Sequence, residues 1–201
     1  GNQAGNGATY AYGSNFFGGS AGFGGSYSLK SNFIGYEAGY QSTSASCSNF
    51  IGAYAGTNQS LGTYSNLIGY RVGYNDFDSI LGPNNIIIGT NISLPSGTTN
   101  SLNIGGILFG VNTYFDPDNL VPSVSAETTG RVGIGVVSPD PSAILELQST
   151  NKGFLLPRMT KAERDLIPSP VAGLSIYQTD NIAGLRVYNG SNWMRFTETI
   201  D

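Results

Sequence analysis

The chain has 201 residues, 29 of them glycine, with nine Lys/Arg against thirteen Asp/Glu, no histidine and a single cysteine. A formal net charge of -4 without any Lys/Arg cluster argues against a nucleic-acid partner and disfavours anionic membranes, because phosphates need clustered cations. The absence of histidine removes Ser-His-Asp and Cys-His catalysis and most zinc sites, and the lone Cys47 allows no intrachain disulfide.

Charge is unevenly placed. Residues 1–110 carry only Lys30, Glu37, Arg71, Asp76 and Asp78, and the rest of the chain carries all the others. That shift separates a repetitive, nearly uncharged part from a more ordinary C-terminal part. The longest apolar runs, such as Ile86-Ile87-Ile88, fall far short of the roughly 20 residues of a membrane-spanning helix, so no membrane insertion is expected. No signal peptide is recognisable. Gly1, Ala4 and Gly5 occupy the columns of Gly18, Ala21 and Gly22, so the chain begins inside a repeat and reads as a piece of a longer protein.

The repeat has a strict seventeen-residue period. Ser-Asn-apolar-apolar-Gly starts at Ser14, Ser31, Ser48 and Ser65, and a second glycine follows at Gly22, Gly39, Gly56 and Gly73. A short fixed period implies one structural coil per repeat stacked on its neighbours, a solenoid. With the Ser as position zero, position two holds Phe16, Phe33, Phe50 and Leu67, and position three holds Phe17, Ile34, Ile51 and Ile68. Adjacent strand residues point to opposite faces, so one column fills the coil and the other needs cover from further copies of the chain. Between the two glycines, Tyr36-Glu37-Ala38 and Tyr70-Arg71-Val72 read as a second short extended piece. The column Asn15, Asn32, Asn49 and Asn66 has two readings of equal weight, a stacked amide ladder or a solvated turn. Asn85-Ile86-Ile87-Ile88-Gly89 and Leu102-Asn103-Ile104-Gly105 continue the coils with altered spacing, and Asp116 to Pro122 ends them.

The domain reading is a β-solenoid over 1–110, a linker and Val-Gly-Ile-Gly strand segment over 111–150, and a small α+β module over 151–201. In the last, Thr160 and Glu163 form a capping box that starts a helix near 161–167, stopped by Pro168 and Pro170. Gly173–Thr179, Leu185–Asn189 and Asn192–Thr197 alternate as strands, with a hairpin signal at Asn189-Gly190.

The Ser-Asn-Phe-Ile-Gly-Tyr-x-Ala-Gly-Tyr coils resemble the β-roll heads of trimeric adhesins and the repeats of phage tail fibres. Gly130-Arg131-Val132-Gly133-Ile134-Gly135 and Lys152-Gly153-Phe154-Leu155-Leu156-Pro157-Arg158-Met159-Thr160 resemble segments of tail-fibre and Bacteroidetes surface proteins. The resemblance implies a mainly β, homotrimeric β-solenoid stalk with a small C-terminal module.

Tyr36, Tyr40, Tyr70 and Tyr74, with Phe23, and separately Trp193 beside Tyr188, offer apolar faces with polar edges suited to sugar rings. Coil-edge or interface packing is the competing reading for each. Paired carboxylates at Asp76/Asp78 and Asp116/Asp118 suggest glycoside hydrolysis or calcium against solvated turn acids. Cys47 stands in a variable column and reads as an incidental surface residue. The glycines lack the Gly-Lys-Ser/Thr ending of a phosphate loop.

The expectation is therefore a non-enzymatic fibre segment without cofactor or metal, part of a phage tail or related injection particle. Its expected partners are two further copies of itself, a host surface glycan or protein, and other fibre or baseplate proteins. The alternatives are a bacterial cell-surface adhesin or stalk and a fibre-borne glycan depolymerase.

Overall fold

The computed structural model describes residues 1–59, 62–74, 80–113 and 129–196. The protein is mainly β, a β-solenoid with almost no helix, and divides into two units, Gly1–Ser149 and Thr150–Asp201.

In the first unit the four repeats supply β1 (Asn15–Phe17), β2 (Asn32–Ile34), β3 (Asn49–Ile51) and β4 (Asn66–Ile68). They are followed by β5 (Ile86–Ile88), β6 (Ser101–Ile104), β7 (Leu108–Val111), β8 (Arg131–Ile134) and β9 (Leu145–Leu147). All nine form one sheet in chain order. Strands β1 to β6 pair in parallel, column on column, as in Phe16↔Phe33↔Phe50↔Leu67↔Ile87. The repeat step changes from seventeen residues to twenty between Asn66 and Ile86 and to sixteen between Ile86 and Leu102, yet the pairing register holds. β7 runs antiparallel to both its neighbours, and β8 and β9 are parallel again.

Three-residue strands are too short to stand alone; each gains its hydrogen bonds from the coils above and below. The chain between strands advances by turns stepped two residues apart. Ala38 N donates to Gly35 O, Tyr40 N to Glu37 O and Ser42 N to Gly39 O, at 3.3, 3.1 and 3.2 Å. Glu37, Gly39 and Gln41 sit at φ 53, 63 and 51°, the left-handed third place of a type II turn. The expected extended piece at Tyr36-Glu37-Ala38 is thus a turn instead, as is Tyr70-Arg71-Val72 with Arg71 at φ 50°. Left-handed backbone at Glu37 or Arg71 is unfavourable by itself; ladder bonds such as Gly39 N to Ala55 O at 2.8 Å offset that strain.

Position two lines the interior. Phe33, Phe50, Leu67 and Ile87 are fully buried over Ala21, Ala38, Ala55 and Val72, and Phe33 stacks on Phe50 with ring centroids 4.9 Å apart. Phe16 packs on this core at the start of the stack, half-buried. Glycine is required at position four. Gly35 has φ +135° and a Cβ there would lie 2.6 Å from the Gly52 carbonyl carbon, well inside van der Waals contact.

Polar columns flank this core. The buried Ser31 and Ser48 donate through Oγ to Ala45 O and Gly62 O at 2.6 and 2.7 Å. Ser48 Oγ also accepts from Ser65 N at 3.1 Å, so this column's hydroxyls both donate and accept, whereas the buried Ser28 Oγ has no hydrogen-bond partner. The asparagines form the amide ladder: Asn15, Asn32 and Asn49 each donate through Nδ2 to Oδ1 of the next, at 2.8, 2.7 and 2.7 Å.

The second unit holds β10 (Arg158–Met159), α1 (Lys161–Asp165), β11 (Ser175–Gln178), β12 (Gly184–Tyr188) and β13 (Trp193–Arg195), with the strands in that order in one sheet. Thr160 Oγ1 accepts from Glu163 N at 3.3 Å while a Glu163 carboxylate oxygen accepts from Thr160 N at 2.8 Å, a complete capping box. The helix closes at Asp165 with Leu166 as its C-cap. β12 and β13 are antiparallel and joined through residues 189–192, where Asn189 Oδ1 accepts from Ser191 N and Asn192 N at 2.9 and 2.8 Å. Ile176 is the buried apolar side chain of this unit among the described residues, beside the buried polar Gln178 and Arg186.

Candidate functional site

Since position two faces inward, positions one and three share the outer face of the nine-stranded sheet. The position-three column begins with Phe17, Ile34, Ile51 and Ile68 and continues through Ile88 and Ile104. Pairing carries it on through Leu108 and Ile134 to Leu147. The position-one column changes character. It is the asparagine ladder as far as Asn66, and then Ile86, Leu102, Gly110, Val132 and Leu145 on the same face.

Phe17, Ile34, Ile68, Ile88, Ile104, Ile134 and Leu147 are 37 to 74 % exposed, while Ile51 is half-buried. The outer face thus carries one apolar stripe beside an amide ladder at its N-terminal end and two apolar stripes at its C-terminal end. Contiguous apolar surface on this scale marks an interaction face.

Away from the sheet, the tyrosines gather on the turns. Tyr54 lies between the coils of Tyr36 and Tyr70 and meets both edge-on, at 5.4 and 6.0 Å, as it does Tyr74 at 6.2 Å. Tyr40 stacks on Phe23 at 5.4 Å. The Arg71 guanidinium lies 4.4 Å over the Tyr74 ring, and Tyr54, Tyr70, Arg71 and Tyr74 line a cleft of 230 Å³. Glu37, hydrogen-bonded to Tyr36 and negatively charged beside it, holds that phenol above its ordinary value.

Residue periodicity missed Tyr54, Arg71 and the stacked pair Tyr10–Tyr27, whose rings are 4.9 Å apart. The pair recurs at the repeat period and was open to detection. Tyr54 shares its column with Ser20, Glu37 and Arg71, so no aromatic pattern announces it.

Trp193 belongs to the second unit, tilted against Tyr188 at 5.3 Å with the Arg164 guanidinium 5.5 Å over its ring. Arg164 also pairs with Asp165 at 2.6 Å and donates to Gln178 Oε1 at 2.7 Å. Arg186 is buried directly across the sheet from Arg195 and donates to the backbone carbonyls of Ile182 and Leu185. Burial, together with the charges of Arg195 and Arg164, pushes its pKa down.

Asp76, Asp78, Asp116 and Asp118 lie outside the described residues. Among the described residues no three His, Cys, Asp or Glu side chains gather into a metal-binding group, and no helix is long and apolar enough to cross a membrane. Cys47 is exposed, in left-handed backbone at φ 58°.

Residues 133–201 match a protein family described as the phage tail like trimerisation region. No curated protein and no solved structure matches the chain. The matched span takes in the end of β8, β9 and the second unit, including the Leu155 to Thr160 segment. Similarity to such a region supports a tail-fibre-like structural protein that self-associates as a homotrimer.

Proposed function

We propose that the chain is a structural and adhesive segment of a trimeric phage tail fibre, or of a related injection-particle fibre, that takes part in recognising the host surface. The observation that carries this reading is the continuity of the outer apolar stripe. It crosses every strand of the first unit and enters the trimerisation-like span at Ile134 and Leu147, with Leu145 of the neighbouring stripe beside them. Three chains that bury this face together leave their turn edges, and the tyrosines on them, outward. Three identical weak sites then act by avidity, whose gain exceeds any single contact.

On this reading the protein displays and binds rather than catalyses. Its partners are two further copies of itself, a host glycan or protein, and neighbouring fibre or baseplate components. Its place is the virion tail, outside the cell.

Light scattering of the purified chain checks assembly, and binding of the labelled chain to a panel of intact bacteria checks adhesion. The expected mass is that of three chains. Ile68→Asp with Ile104→Asp is expected to give a folded monomer with unchanged circular dichroism that adheres far more weakly; a wild-type monomer would end the trimer reading.

A further inference from the structure

We infer that the cleft between Tyr54, Tyr70 and Tyr74 is a binding site for a carboxylate-bearing sugar, with Arg71 as its charge-reading group. The inference deepens the adhesive reading given above and rests on it.

Three features of the cleft converge. Among the described residues no carboxylate pairs with Arg71, and its Nε is buried without a hydrogen-bond partner. Its guanidinium is held over the Tyr74 ring at 4.4 Å, a stacked arrangement that fixes the plane of the fork and leaves its edge for another group. The remaining lining among the described residues is three phenols, which combine ring surface for a sugar's C–H face with hydroxyls for its polar edge.

The sign of the charge selects the ligand. Glu37, the acid nearest in the repeat pattern, is engaged by Tyr36 and does not line the cleft. Among the described residues Arg71 is therefore the one charged member of the lining. A guanidinium pairs bidentately with a planar carboxylate, a charge-assisted contact stronger than the single neutral hydrogen bonds a sugar hydroxyl accepts from it. At 230 Å³ the cleft is smaller than the roughly 300–1,000 Å³ of sites enclosing a drug-sized ligand. It suits one acidic unit of a longer surface polysaccharide, repeated across three chains.

The test titrates the 201-residue chain with tetrasaccharides containing glucuronic, galacturonic or N-acetylneuraminic acid, each beside its carboxyl-reduced counterpart, by calorimetry. At least one acidic member is expected to bind about tenfold or more tightly than its reduced form, the scale of one charged hydrogen bond, and to weaken with added salt. Arg71→Asn places at this site the residue that the next coil carries at Asn91, in the same left-handed backbone, so the fold is expected to persist. It should remove the preference for the acid, while Tyr74→Ala weakens acidic and reduced forms alike. Equal affinity for both forms, no binding across the panel, or a preference that survives Arg71→Asn overturns the inference. So does binding that emerges only when Asp76→Asn and Asp78→Asn are introduced. A chain that adheres to bacteria but ignores the acidic panel loses this site and keeps the adhesive reading. A chain that binds the panel but no bacterium does the reverse.

Discussion

The two units solve the problem of a small core in opposite ways. In the coils every inward column is repeated, so Phe33 and Phe50 each rest on a like residue and are sealed from solvent within one chain. In the second unit Ile176 has Gln178 and Arg186 as its buried companions, and Phe154, Leu155, Leu166 and Val171 are left 69 to 80 % exposed. A solenoid adds core with each rung and becomes self-sufficient along its axis. A module of this size does not, and it sits within the span that resembles a trimerisation region. The lesson is that this chain seals its interior by repetition in one place and leaves apolar side chains open in the other, within the span that resembles a trimerisation region.

Core truncation probes that contrast most strongly. Phe50→Ala is expected to lower stability by about 3 to 5 kcal/mol, and by an amount independent of protein concentration. Ile176→Ala is expected to lower it by about 2 kcal/mol, and by an amount that grows on dilution if partner chains cover this unit in the proposed trimer. Denaturant melts of both variants at two concentrations check this; an equal dilution effect on both would erase the distinction.

Backbone proximity in the coils comes next. Gly35→Ala forces a side chain into φ +135° and against the Gly52 backbone, at about 2 to 4 kcal/mol for strain and overpacking combined. Chemical denaturation measures it, and a change below 1 kcal/mol would mean the coils have slack along the stack.

Smaller again is the amide ladder. Asn49→Ala breaks one bond to Asn32 and one to Asn66, for about 1 to 2 kcal/mol in a thermal melt.

The least effect belongs to the helix of the second unit. Thr160→Ala removes the cap, at about 1 kcal/mol. The backbone and side chain of Thr160 hold the Glu163 carboxyl below its usual range, and Lys161 with Arg164 do so for Asp165. Depressed carboxylates contribute their stability above the ordinary value of about 4 and lose it as pH falls through their lowered values. The second unit of the native protein should therefore weaken in acid below pH ~4, and Thr160→Ala should flatten the Glu163 part of that slope.

The strands were legible in the amino acids because burial obeys their alternation: position two is inside, position three outside, and the period sets parallel neighbours. The turns were not. Ser20, Glu37, Tyr54 and Arg71 occupy left-handed backbone with φ of 50 to 61° and carry no glycine to betray it; only the ladder bonds between coils make that conformation tenable. Tyr54 was hidden for the same reason, since its ring reaches Tyr36, Tyr70 and Tyr74 from a column with no other aromatic. The asparagine column left two readings open because a ladder depends on spacing between coils, which a single coil does not encode. The reversal at β7 had its signature in Gly105-Gly106, both at positive φ and spanned by the bond from Ile107 N to Ile104 O at 3.2 Å, a hairpin signal that reading Leu102-Asn103-Ile104-Gly105 as one more coil passes over.

The irregular steps into β5 and β6 have a consequence for how such a chain can change. Steps of twenty and sixteen residues leave each strand in register with the next, so a change of length between strands is silent to the outer face. Unequal exchange between neighbouring repeats in the gene would lengthen or shorten the array by whole rungs, with the stripe still in phase. Reach and surface identity are thus inherited separately: one by copy number, the other by substitution on the turns.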